Sequence, residues 1–398
     1  MSGYLPPHST GGACSEIYKA GWTLQDALFR DEDEDTTEHY LLLNPETTPT
    51  LQTLITLGSD PDKPLFKIHP LGFGLWGWGD VLTYGWGPSN GYDQKLNDDS
   101  VAGAWREIFS LSDHILLDTA EHYGYTDGYS ESTVGKMLTR DVKETRSKLI
   151  FATKFFPTPW RHPWKYPGIT LQSAGGSLER SKVGKIDIYQ LHGPSHWGFW
   201  PKLDTLCEAL AQTYTTGKVK AIGTCNLGLE QVKYVYTYMR KRDIPFVSNQ
   251  VEFSLVRMDP LTTGLIEGCR KLGIATIAYS PLAVGRLTGK YSQQNPPRGN
   301  RNFGHVNWSK LDPIIEELKR IGEKHGKTPT AVALNWVVCK GAIPIPTPKN
   351  REQVNDCLQA LGWRLSKNDE DRLDALGLTN AWDWNLIKHF QNWWWQQG

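Results

Sequence analysis

The sequence predicts a closed (β/α)8 barrel, and three observations point there. From Leu71 onward, eight short runs rich in Val, Ile and Leu recur along the chain. They lack strict alternation, as expected for parallel strands buried on both faces. Between successive runs lie segments of helical periodicity, and alternating strand and helix units build a parallel sheet. Eight such units in about 280 residues match a barrel better than an open doubly wound sheet, the alternative architecture.

The first run leads into LGFGLWGWGD, Leu71 to Asp80, where Gly72, Gly74 and Gly77 have the G-x-G-x-x-G spacing of a dinucleotide fingerprint. That fingerprint needs a helix to open within it, so that the helix amino terminus faces a pyrophosphate. Here the continuation DVLTYGWGPSNGYDQ, rich in Gly, Pro, Asn and Asp, reads as a long loop. Trp76 and Trp78 also crowd a place where close backbone approach is needed. The glycines are therefore expected to end the first strand beneath a substrate pocket, without cradling phosphate.

The other runs are HILLDTA, KLIFATK, KIDIYQLH, VKAIGTCN, FVSNQVEF, IATIAYSP and AIPIPTP. The crossover helices fall at VAGAWREIFSL, SESTVGKMLTR, TLQSAGGSLERS, KLDTLCEALAQTYTT, LEQVKYVYTYMRKR, TGLIEGCRKLG and TPTAVALNWVVCK. KLDPIIEELKRIGEKHG is a surplus helix, and two more are expected after the last strand. Residues 1–64 lack sustained periodicity and read as an extension with at most short local structure. The barrel is assigned to residues 65–380, and residues 381–398, AWDWNLIKHFQNWWWQQG, form an aromatic tail.

Composition removes several function classes. Lys plus Arg and Asp plus Glu both number 43, so no global field favours nucleic acid or anionic membrane. The six cysteines are scattered without a C-x-x-C pair, which argues against a zinc ribbon and suits a reducing compartment. No apolar run approaches the ~20 residues of a membrane helix. The amino terminus has no secretory pattern, and the acidic RDEDEDT is foreign to a transit peptide. A soluble intracellular protein is the expectation.

In a barrel, chemistry sits where strands end. Asp118 closes LLDTAEHYG and Tyr123 follows on its loop; Lys154 closes the next strand and His192 the one after. Alone, each has an ordinary explanation: helix cap, loop packing or scaffold hydrogen bond. Together they put a carboxylate, a phenol, an ammonium and an imidazole on one rim. That set suits proton delivery to a carbonyl oxygen. A neighbouring ammonium favours phenolate, so Lys154, held charged by Asp118, is expected to lower the Tyr123 pKa from about 10. His192 can donate a hydrogen bond that aligns the substrate oxygen. The set lacks a nucleophile with an adjacent base, and any hydride must come from a cofactor. A metal site is not expected: His192 and His196 follow a loop, and the first strand has no histidine.

These residues carry a resemblance. LLDTAEHYG, ATKF, IDIYQLHGP, GKVKAIGTCN, SNQVEFS, IAYSPLAVGRLTGKY and IPIPTPKNREQV resemble, in order, the motifs of aldo-keto reductases, most closely those of plant plastids and cyanobacteria. The resemblance implies a barrel binding NADP(H), with Asp118, Tyr123, Lys154 and His192 as catalytic tetrad and Tyr123 as general acid. It implies that Asn226 and Gln250 hold the nicotinamide carboxamide while Tyr279 stacks on the ring. It assigns Ser280, Leu282 and Gly285 to the pyrophosphate, and Lys349 and Gln353 to the adenosine phosphate end. Three positions depart from the family pattern: Cys225 replaces a Ser, Cys357 an Asn, and Gln353 the Arg many members place at the 2′-phosphate.

Trp76, Trp78 and Trp160, with Trp197 or Trp200, are expected to wall a pocket for an apolar or planar carbonyl compound. The resemblance suggests the plastid stroma, with the cytoplasm as the other compartment. A second function class remains open: a cofactor-binding regulatory or scaffold subunit, docking a protein partner or membrane surface through the Trp-rich tail.

Overall fold

The computed structural model describes residues 48–58, 65–87, 91–111, 113–124, 126, 128–140, 144–157, 161, 163–193, 201–299 and 306–379. The aromatic tail, Trp160, His196, Trp197 and Trp200 lie outside the described residues.

All eight anticipated runs form strands of one parallel sheet. They are β3 (Phe73–Gly74), β4 (Ile115–Asp118), β5 (Leu149–Phe155), β6 (Ile186–Leu191), β7 (Val219–Cys225), β8 (Phe246–Glu252), β9 (Ala275–Tyr279) and β10 (Ile343–Pro344), hydrogen-bonded in sequence order. The sheet closes on itself: Gly72 N–H donates to Pro344 O at 3.1 Å and Gly74 N–H to Pro346 O at 2.9 Å. The glycines make this seam. A Cβ at Gly72 would stand 3.0 Å from Leu116 Cβ, and one at Gly74 3.0 Å from the Ile345 carbonyl oxygen. Their role is close strand approach, and the fingerprint spacing is incidental.

The stretch read as a long loop after β3 contains one helical turn, Val81–Tyr84. Asp80 Oδ1 caps it by accepting from Thr83 N–H and Tyr84 N–H at 2.6 and 3.0 Å, and left-handed Gly85 ends it. The surplus helix forms as Trp308–His325, and the two late helices as Arg351–Leu358 and Lys367–Leu376.

Packing begins ahead of Leu65. Ile55–Leu57 forms β1, paired antiparallel with β2 (Phe66–Ile68). Ile55, Leu57, Phe66 and Ile68 are buried against Leu116, Ala152, Ile188 and Ala221 inside the barrel. This hairpin stops the amino-terminal end of the barrel and leaves the opposite rim for chemistry.

Candidate active site

Inward-facing residues alternate along each strand, so the layer nearest the rim is set by position. It brings together Asp118 of β4, Lys154 of β5, Gln190 of β6, Cys225 of β7 and Gln250 of β8, all nearly inaccessible to water.

Lys154 and Asp118 form a close ion pair, Nζ to Oδ1, with side chains 1% and 2% exposed. Nζ also donates to the Thr119 carbonyl at 2.9 Å and to Tyr123 Oη at 3.1 Å. An ammonium has three N–H donors, so this account is complete. The phenol oxygen accepts one of them and keeps its own proton for another partner. His192 lies edge-to-face with Tyr123, ring centroids 5.8 Å apart, and with Phe156 at 5.2 Å. The four residues expected at the rim are thus adjacent.

The electrostatics correct one expectation. Burial pushes the Tyr123 phenol above its ordinary value, and the Lys154 charge offsets only part of that. Tyr123 is held protonated and is not tuned downward. Burial opposes the charge on Lys154, but Asp118, followed by Tyr123, raises its pKa above the ordinary value. The ammonium therefore persists at neutral pH.

A cleft of about 300 Å³ begins at Gly74, Trp76, Asp118 and Tyr123, passes Gln250 and Tyr279, and continues along Ser280, Leu282 and Gly285 to Lys349 and Gln353. The loop after β9 is wound to fit it. Ser280, Ala283 and Val284 have φ of 49°, 48° and 55°, unusual for residues with a side chain, and Gly285 has 93°. Each such non-glycine residue costs of order 1–3 kcal/mol, and backbone strain of this kind clusters at ligand clamps and active sites. Asn226, also left-handed at φ 60°, donates to the His192 carbonyl at 3.1 Å and accepts from Tyr279 Oη at 3.0 Å. Gln250 spends its amide nitrogen on Asp118 and Gln190, and the residue lines the cleft. At the far end Gln353 Oε1 accepts from Lys349 N–H at 2.9 Å, and Lys349 Nζ lies 4.2 Å above the Tyr84 ring.

Trp76 lines the cleft, but Trp78 does not. Its ring is fully buried and its indole N–H donates to Pro348 O at 3.0 Å, bracing β3 against the loop after β10. Sequence reasoning also missed Gln190. The available signal was the period of two that puts Ile188, Gln190 and His192 on one face of the chain.

Fold and rim define a (β/α)8 barrel with a cluster of ionisable side chains at the head of a long cleft. The family model described as the aldo/keto reductase family matches residues 70–377, and the chain belongs to that family. The chloroplastic pyridoxal reductase of Arabidopsis thaliana is 36% identical over 316 residues, covering 77% of this chain and 83% of that protein. The L-glyceraldehyde 3-phosphate reductase of Escherichia coli is 26% identical over 284 residues, 67% of this chain and 81% of that one. A thermostable aldo-keto reductase solved with the inhibitor epalrestat superposes with a TM-score of 0.62 at 24% identity, over 82% of this chain and all of its own, a likeness of fold. The protein is therefore an oxidoreductase of the class that reduces carbonyl compounds, generally with NAD(P)H. Among the described residues no helix is long and apolar enough to cross a membrane.

Proposed function

We propose that the chain is an NADP(H)-dependent reductase of aldehydes or ketones in which Tyr123 is the general acid. The observation that carries this reading is the allocation of the Lys154 donors, which leaves the Tyr123 proton free to be given to a carbonyl oxygen. NADPH, when bound, supplies the hydride that the carbonyl carbon takes up. Tyr123 then gives its proton to the developing alkoxide, and the Lys154 ammonium beside Oη stabilises the phenolate left behind. His192, packed on Tyr123, aligns the substrate oxygen.

The cleft suits a dinucleotide on this chain's own terms. The loop from Ser280 to Gly285, left-handed at Ser280, Ala283, Val284 and Gly285, accommodates the pyrophosphate, and Tyr279 offers a flat wall to the nicotinamide. Gln250 Oε1 and the remaining Asn226 N–H serve the carboxamide, and Lys349 serves the 2′-phosphate. Trp76 and Tyr84, edge-to-face at 5.6 Å, favour a flat substrate. The 36% identity to a pyridoxal reductase supports the same substrate class, and its chloroplastic location supports a plastid site.

The test measures NADPH consumption with pyridoxal and other flat aldehydes, for the unmodified protein and Tyr123→Phe. The variant should lose about 10²–10⁴-fold in turnover while keeping nucleotide affinity. Full turnover by Tyr123→Phe would sink the mechanism. Nucleotide binding without turnover of any carbonyl would favour a scaffold role.

A further inference from the structure

We propose that Gln190 is a positioning residue for proton delivery, clamping the Asp118 carboxylate together with Gln250 so that Lys154 stays aimed at Tyr123. Its effect on turnover rests on the carbonyl-reductase reading above; the clamp itself rests on geometry. Gln190 Nε2 donates to Asp118 Oδ2 at 2.7 Å, and Gln250 Nε2 donates to the same oxygen at 2.9 Å. The other oxygen, Oδ1, takes the Lys154 ammonium. Both oxygens of the carboxylate are thereby engaged, and it cannot rotate without breaking a charge-assisted bond.

The orientation of the Gln190 amide is itself dictated. Its Oε1 accepts from Gln250 Nε2 at 3.3 Å and from the Cys225 thiol at 3.7 Å. Reversing the amide would set its oxygen against the carboxylate and its nitrogen against two donors. Burial pushes the Cys225 thiol up, so it stays an S–H donor. This gives Cys225 a role toward Gln190.

Space for the clamp comes from Gly223. A Cβ there would stand 2.9 Å from Gln190 Cγ and 2.7 Å from Ser248 Oγ, and the residue is absent from the positive-φ glycines. Gly223 is present for room. The chain thus spends a glycine on β7, an amide on β6 and an amide on β8 to hold one carboxylate on β4.

A passive filler of the barrel interior would donate no hydrogen bond to its neighbour, and that difference supplies the test. The Asp118 carboxyl is followed by carbon-13 NMR at neutral pH in the full-length, nucleotide-free protein, with Asp118→Asn identifying the signal. Losing one hydrogen bond to a carboxylate oxygen should displace that signal in Gln190→Leu. Turnover should fall roughly tenfold or more in that variant, with little change in nucleotide affinity. Gln190→Glu adds a readout. While protonated, its carboxyl donates to Asp118 as the amide does, so activity persists at low pH and falls as the new group ionises. An undisplaced signal in folded Gln190→Leu, or a Gln190→Glu profile parallel to that of the unmodified protein, overturns the proposal. Should Gln190→Leu not fold, the Gln190→Glu profile decides. A displaced signal in a protein that reduces no carbonyl would overturn the reductase reading and leave the clamp standing. Normal reduction with an undisplaced signal would overturn the clamp alone.

Discussion

The Tyr279 hydroxyl donates to Asn226 Oδ1 across 3.0 Å, tying the end of β9 to the left-handed residue that follows β7. The bond orients an amide at the nicotinamide end of the proposed cleft. Tyr279→Phe keeps the flat ring and removes the tether. Its NADPH dissociation constant should rise by up to about tenfold, the range of one net hydrogen bond. Tyr279→Ala should cost more, because the wall goes too. Fluorescence titration of both variants checks this, and unchanged affinity in both would remove Tyr279 from the site.

Lys154→Met leaves Asp118 buried with amide partners only. Removing one member of such a pair typically costs about 3–5 kcal/mol, so the melting temperature should drop clearly at neutral pH. The sign for the parent is set by its raised pKa: the Lys154 contribution is fully present below its unfolded value near ~10.4 and is lost only as pH rises through the higher folded value. The ammonium is also the one group near Tyr123 that most lowers its pKa. Its loss should slow reduction and carry the alkaline limb of the rate profile to higher pH. A profile that keeps its shape would refute the coupling.

Cofactor choice should favour NADPH over NADH by tenfold to a hundredfold, about 1.4–2.8 kcal/mol. The charge comes from Lys349, while Gln353 contributes an amide where a guanidinium would grip the phosphate in two places. Lys349→Ala should erase most of the difference. Equal dissociation constants in the unmodified protein would defeat the assignment.

Removing residues 1–60 takes β1 away with its two buried anchors, Ile55 and Leu57, 3% and 2% exposed. Each fully buried side chain of this size stabilises by about 1.5–3 kcal/mol. The truncated chain should melt at a distinctly lower temperature while the rim retains nucleotide binding. An unaltered melting curve would show that the hairpin is dispensable.

Acid should loosen the seam between the helices Trp308–His325 and Lys367–Leu376. Glu317 accepts from Arg372 Nε at 2.6 Å and Arg320 Nη2 at 2.8 Å, which hold its carboxyl at about 2. Burial opposes the charge on Asp369, but Lys324, Ser366 and Arg320 hold its carboxyl below the ordinary range. Depressed carboxylates contribute stability above their unfolded values near ~4 and lose it as pH falls toward the folded ones. Glu317→Gln should therefore be less stable at pH 7, with the gap closing toward pH 2. Thermal melts across that interval report it, and a constant gap would argue against the linkage.

The strands were legible because strands buried on both faces are nearly unbroken apolar runs, from HILLDTA to AIPIPTP. Asp118, Lys154 and His192 were legible because barrel topology puts strand-terminal polar residues on one rim. Trp78 was not, since nothing in a glycine-rich loop says which way a large ring turns. The four-residue helix after Asp80 hid in turn composition, because a single capped turn has no periodicity to read. Nor was the pKa of Tyr123 readable: the ammonium was evident from sequence, but the depth of burial that outweighs it exists only in the fold. Gln190 lay two residues from His192 and was passed over because an amide carries no charge to announce it.

The β1–β2 hairpin has a consequence for traffic. With Ile55, Leu57, Phe66 and Ile68 stoppering one mouth of the barrel, the proposed nucleotide and carbonyl compound would both have to enter at the other. The groups proposed to anchor the nucleotide, on the loops after β9 and β10, line the same cleft as Tyr123. A block at this rim would therefore shut out both proposed ligands together, because the plugged mouth offers neither a second way in.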